Sequence, residues 1–136
     1  MIMFLLFRSI EHQTSVSHTP QQNGRAEHFN CTILEKAEAM HQTACLLPSF
    51  WQDVVETALQ IYNRQPMHCL DWSPPISKWN GETPDVSYFK VFGCLTYVFI
   101  PKEDYQNKLS AKAKEAAFID YEKGTKGYRF WSPKCR

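Results

Sequence analysis

Net charge is the first thing this 136-residue chain lacks: fifteen Lys and Arg against fourteen Asp and Glu leave only +1. The chain as a whole therefore gives no reason to expect a polyanionic partner held by bulk charge. Paired cysteines are missing too. The five cysteines (Cys31, Cys45, Cys69, Cys94 and Cys135) are odd in number and widely spaced, with no CxxC pair. Neither a zinc site nor a disulfide framework is suggested, and reduced thiols of the nucleus or cytoplasm are the plain reading. Long apolar runs are absent. The start, Met1-Ile2-Met3-Phe4-Leu5-Leu6-Phe7, is apolar for only seven residues before Arg8. That is too short to span a bilayer and carries no basic leader or small-residue cleavage site, so no membrane partner is expected and a buried strand is the better reading. Repeats and low-complexity tracts are absent as well.

What is present is the inventory of a globular protein, 43% hydrophobic and 14% aromatic, enough for one modest domain or two small pieces. The charge is unevenly spread. Residues 1–90 carry six Lys/Arg against nine acids, whereas residues 91–136 carry nine against five. Any attraction to nucleic acid is therefore expected near the C-terminus.

Residues 2–17 read as strand, and Pro20, Asn23 and Gly24 mark a turn. From Arg25 the pattern becomes helical, with Ala26, Ile33, Ala37, Met40 and Ala44 at the spacing of one face, predicting a helix to about Cys45 that stops before Pro48. Cys31 and Cys45, on or beside it, are expected as buried thiols. Ser49 followed by Gln52 matches a capping box and predicts a second helix ending near Asn63, ahead of Pro66. Its stripe of Trp51, Val54, Val55, Ala58, Leu59 and Tyr62 is expected in the core. Residues 65–88 hold Pro66, Pro74, Pro75, Gly81 and Pro84 and read as a linker with one short helical turn at 76–79. The texture then turns to short aromatic strands: 91–100 ended by Pro101, 117–121, and 128–131. Gly124-Thr125-Lys126-Gly127 between the last two is a hairpin candidate. Such strands suggest a small β-barrel.

The turn and the first helix carry a motif. His18-Thr19-Pro20-Gln21-Gln22-Asn23-Gly24-Arg25-Ala26-Glu27-His28 resembles the segment of copia-type retrotransposon integrases that bears the third acid of the D,D-35-E triad. The likeness continues through Asn30, Leu34, Glu35 and Met40, then Leu47-Pro48, Phe50-Trp51, Ala58 and Tyr62-Asn63-Arg64. Phe92-Gly93-Cys94 with Tyr97-Val98 and Lys108-Leu109 resembles the opening of the family's SH3-like domain. Phe118-Ile119-Asp120-Tyr121 and Lys126-Gly127-Tyr128-Arg129 resemble its last strands.

The resemblance implies a mixed α/β chain. Residues 1–64 would be an incomplete RNase H-like remnant of one strand and two long helices, 65–88 a linker, and 89–136 a small SH3-like β-barrel. It also implies three carboxylates holding two Mg²⁺ or Mn²⁺ ions, which stabilise the attacking and leaving oxygens of a phosphoryl displacement. Glu27 would be the third acid and a metal ligand in a complete enzyme. Thr19, Gln21, Gln22, Asn23, Gly24 and Arg25 would form the mobile DNA-contacting loop, with Gly24 letting the backbone bend.

The carboxylate count does not reach three. The second acid belongs about thirty-five residues before Glu27, and only 26 residues precede it, with Glu11 their sole acid. The first two acids, their strands and an upstream zinc-binding domain do not fit in that space. One carboxylate cannot hold two divalent ions, so the chain is expected not to be an enzyme and not to bind the metals. His28, Phe29 and Cys31 stand where the family tends to place basic residues, and Asp120 where it usually has glycine. The five histidines show no i,i+4 pair with an acid partner, so no metal is assigned to them.

At the C-terminal end, bases interleave with Tyr97, Tyr105, Tyr121, Tyr128 and Trp131, a texture suited to nucleic acid. Most of those lysines also read as solubilising and the aromatics as barrel core. Lys123, Lys126 and Arg129, grouped around the hairpin, are the candidates for phosphate contact. The expectation is a truncated, inactive integrase segment with weak, non-specific nucleic-acid binding. The alternative is an interaction or structural remnant whose unpaired sheet edge, led by residues 1–7, drives self-association.

Overall fold

The structure is a computed structural model that describes residues 23–105, 107, 109–122, 124–125 and 127–132. The opening strand expected at 2–17, its apolar start, and the turn residues through Gln22 lie outside them. Compact packing divides the chain into Met1–Thr32 and Ile33–Arg136.

Helix α1 runs Gly24–Ala44, as the three-to-four spacing predicts. Ile33 and Ala37 are its buried residues, and Met40 and Ala44 are half-buried beside them. It stops where Cys45 turns left-handed, at φ 51°. The expectation of buried thiols fails here: Cys31 and Cys45 are both exposed. Cys31 lies on the solvent side of the helix, and the Cys45 thiol donates to the Gln42 carbonyl at 3.4 Å on the outside of the last turn.

Helix α2 spans Trp51–Arg64, but it does not begin with a capping box. Pro48-Ser49-Phe50 form a 3-10 turn that feeds directly into it, with Leu47 extended and no side-chain cap. Proline supplies the fixed φ of a helical first turn and lacks an N–H to be capped, so Pro48 rather than the Ser49 hydroxyl sets the start. The Gln52 amide instead donates to Glu56 one turn on, at 3.4 Å. Val54, Thr57 and Ala58 form the buried face. Trp51, expected in the core, is exposed, because the preceding turn places Phe50 inward in its stead, against Trp131 with ring centroids 5.1 Å apart.

The proline-rich stretch carries the short helical turn that its sequence predicts. Met67 and Ser73 bridge around a 3-10 turn at His68–Leu70. Helix α3, Pro75–Asn80, starts on two prolines, is fastened by Ser77 Oγ donating to the Pro74 carbonyl at 2.7 Å, and ends at Gly81.

Three antiparallel strands follow in the order β1 (Leu95–Phe99), β2 (Ala113–Tyr121), β3 (Tyr128–Trp131). Leu95 faces Ala117 and Phe99 faces Ala113 across the first pair. Between β2 and β3 the register shifts between Phe118 and Asp120, a bulge that re-aims side chains and leaves Phe118, Ile119, Asp120 and Tyr121 all buried. The β2–β3 turn closes with Glu122 N–H donating to the Gly127 carbonyl at 3.0 Å, and Gly124 at φ 80° supplies the left-handed residue that such a turn needs. Among the described residues this sheet does not close. The expected barrel is an open three-stranded sheet, because β1 and β3 each pair only with β2.

One core joins the helices to the sheet: Ile33, Ala37, Val54, Ala58, Phe92 and Ile119, rimmed by Met40, Ala44, Leu46, Phe50, Val55, Leu59, Tyr62 and Trp131. Each large apolar side chain buried there stabilises the fold by about 1.5–3 kcal/mol. In a second, aromatic layer Tyr121 meets Tyr88 and Phe118 edge to face, Phe118 meets Tyr128 in the same way, and Phe89 lies tilted on Tyr121. The Tyr121 hydroxyl accepts from Lys90 N–H at 2.9 Å. No described helix is long and apolar enough to cross a membrane.

Candidate nucleic-acid interface

Glu27 occupies the first turn of α1, where a carboxylate is favoured by the exposed N–H groups of the helix start. Every residue from Asn23 through Cys31 is exposed, so Asn23, Arg25 and Glu27 present their polar groups to solvent. Gly24 does not use its conformational freedom: it is the first helical residue and has no positive φ. Thr19, Gln21 and Gln22 lie outside the described residues. His28, Phe29 and Cys31 line the same exposed turns.

At the other end, Arg129 is held by two acids of its own chain. Its Nη1 donates to Asp120 Oδ2 at 3.2 Å, and its Nη2 lies 3.2 Å from Asp53 Oδ1. Asp120 sits directly across the β2–β3 ladder from Arg129, and Asp53 comes from the first turn of α2. Thr57 Oγ1 completes the cluster, within 3.3 Å of Asp120 Oδ1 and 3.4 Å of the Ile119 carbonyl. The Asp120 side chain is 1% exposed and that of Arg129 45%. Burial raises the Asp120 pKa above the usual carboxylate value. The Tyr121 backbone, Thr57 and Arg129 favour the charged form, Glu56 opposes it, and desolvation outweighs the rest.

Sequence reading missed this cluster. Thr57 breaks the apolar stripe of α2, and Asp120 interrupts the apolar run Ala116-Ala117-Phe118-Ile119. A polar residue inside each of two buried faces was the available signal, because such groups need partners. Arg129 therefore divides its guanidinium between the fold and solvent. Of the other bases beyond residue 90, Lys102, Lys112 and Lys114 are exposed, with Lys112 just before β2 and Lys114 in its first residues. Lys123 and Lys126 lie outside the described residues.

The described donor set does not fit a pair of divalent ions. No group of three or more His, Cys, Asp or Glu among those residues could hold even one, and Glu27 offers a single carboxylate.

The model for the retroviral polymerase SH3-like domain matches residues 94–136, which opens one residue before β1 and takes in the whole sheet. The chain is 40% identical over 124 residues, 91% of its length, to the retrovirus-related Pol polyprotein from transposon TNT 1-94 of Nicotiana tabacum. It is 31% identical over 118 residues to the retrovirus-related Pol polyprotein from transposon RE2 of Arabidopsis thaliana. The chain belongs to the copia-type retrotransposon Pol family.

This Pol segment spans only 9% and 8% of those two polyproteins. It is also 31% identical over 87 residues to an uncharacterized mitochondrial protein of Arabidopsis thaliana, covering 69% of that protein. No solved structure matches the Pol segment.

Proposed function

We propose that this Pol segment is the C-terminal part of a copia-type integrase. Residues 1–64 derive from the RNase H-like catalytic core, with Glu27 in the place of its third acid, and 89–136 are the SH3-like domain. By itself the segment is catalytically silent and binds nucleic acid weakly and without sequence preference. The observation that carries this reading is the joint presence of the His18–Glu27 motif, whose acid stands exposed at the start of α1, and the SH3-like match that follows it.

With few bases available, affinity falls in the ~10⁻⁴–10⁻⁶ M range of non-specific binding at physiological salt. Phosphate contact is assigned to Lys112, Lys114, Lys123 and Lys126 rather than to Arg129, whose guanidinium is engaged by Asp53 and Asp120. The test is fluorescence anisotropy of labelled oligonucleotides of different sequence titrated with the full chain over a salt series. Affinity should fall steeply with salt and be indifferent to sequence. Replacing the four lysines with alanine should flatten the salt slope, because fewer counterions are released. Binding that ignores salt, or none at low salt, would overturn the reading.

A further inference from the structure

The outer edge of β1 is built to pair. Phe118 N–H donates to the Cys94 carbonyl at 3.0 Å and Ile100 N–H to the Lys112 carbonyl at 2.9 Å, which places positions 94 and 100 in hydrogen-bonded pairs with β2. Such pairs alternate along an antiparallel ladder. The backbone groups of Leu95, Tyr97 and Phe99 therefore point away from β2, toward the side of β1 on which no described strand pairs. The same three residues put their side chains on one solvent face, at 63%, 62% and 82% exposure.

Edge strands are usually blunted by lysine, proline or a bulge. Leu95-Thr96-Tyr97-Val98-Phe99 has no charge, no proline and no glycine, and its register with β2 is unbroken. A nucleic acid does not suit this edge. It offers no base, and the Tyr97 hydroxyl points to Glu115 at 3.4 Å, which would meet a phosphate with like charge.

The strand is, however, complementary to itself. Turned about a two-fold axis at Tyr97, an antiparallel copy sets Leu95 opposite Phe99 and Tyr97 opposite Tyr97. Outward-facing residues then meet outward-facing residues, and each facing pair can exchange two backbone hydrogen bonds. Leu95, Tyr97 and Phe99 of both copies join into one apolar stripe. The two Glu115 side chains would sit three strand spacings apart, roughly 14 Å, beyond a Debye length at physiological salt.

We propose that β1 pairs antiparallel with β1 of a second copy, joining two open sheets into one six-stranded sheet. The proposal is independent of the nucleic-acid reading.

Sedimentation velocity of the full chain over a wide concentration range tests it. Wild type should populate a species of twice the single-chain mass. Tyr97→Lys and Tyr97→Glu should each run as monomers, because like charges face each other on the axis, and their mixture should recover the dimer. Circular dichroism melting checks that each variant is folded. Should Tyr97→Lys fail to fold, Phe99→Lys, at a more exposed position, takes its place. A wild-type monomer throughout would overturn the proposal. So would a dimer, or a larger assembly, that persists in the folded lysine variant.

Discussion

Arg129 Nη1 stands 3.2 Å from Asp120 Oδ2, and this contact fastens β3 to the buried C-terminal end of β2. Because the same guanidinium reaches Asp53 on α2, one side chain ties the sheet to the helix layer. Arg129→Ala leaves the Asp120 carboxylate buried with the Thr57 hydroxyl as its remaining side-chain partner. Stability should fall by about 1–3 kcal/mol, the cost of an under-satisfied buried group, and by less than a fully buried pair because Arg129 is half in water. Urea unfolding of both proteins measures this, and a midpoint shared with wild type would rule it out.

Asp120 also gives the fold a pH dependence of definite sign. Burial holds its pKa above the ordinary 3.8, so the folded state binds this proton more tightly than the unfolded state. The associated stability is fully present below 3.8 and is lost as pH rises through the raised value. Asp120→Asn keeps an acceptor for Thr57 but cannot ionise. Urea midpoints followed upward from acid pH should decline more in wild type than in the variant, since the other carboxylates titrate in both. Parallel profiles would show that Asp120 does not carry the effect.

The helices were legible where apolar spacing decides them. Ile33, Ala37, Val54 and Ala58 are buried as their periodicity predicts. The Ser49 cap was misread because a matching motif was outweighed by Pro48, which starts the turn earlier. β1 and β3 could be read from aromatic and β-branched runs ended by Pro101 and opened by Gly127. The first half of β2 could not: Ala113, Lys114, Glu115 and Ala116 favour helix by propensity, and pairing with β1 overrides that. In the candidate site, Glu27 was legible from local sequence, because its place in a helix first turn is a local property. The restraint on Arg129 was not, since the two acids that hold it come from a neighbouring strand and from α2.

Gly93 marks a close approach between the chain entering β1 and the end of α1. Its φ is 75°, and a Cβ there would lie 2.4 Å from Ala44 Cβ and 3.1 Å from Ala44 Cα. Its N–H also donates to the Phe118 carbonyl at 2.8 Å, so the backbone cannot move away without losing that bond. Gly93→Ala combines a left-handed conformation with overpacking against backbone and should cost about 1–3 kcal/mol. Thermal melts of Gly93→Ala and the double variant Gly93→Ala/Ala44→Gly check it. The second change removes the closest contact, with Ala44 Cβ, but neither the approach to Ala44 Cα nor the strain, and should restore part of the loss; no restoration would place the cost elsewhere.

Glu27 separates an intact active site from an inherited residue. Two-metal phosphoryl transfer needs carboxylates that hold ions about 3.5–4 Å apart, and no described cluster of acids surrounds Glu27. The purified chain should therefore show no strand transfer or 3′-processing of a DNA substrate with Mg²⁺ or Mn²⁺. Glu27→Ala should leave that baseline unchanged. The variant should also remain folded, because an exposed acid in a helix first turn contributes only about 0.3–1 kcal/mol. Removing a negative charge beside Arg25 should, if anything, tighten oligonucleotide binding at low salt, opposite to the lysine variants. Metal-dependent turnover that disappears in a folded Glu27→Ala protein would mean that the missing carboxylates are supplied, and the silent-segment reading would have to be abandoned.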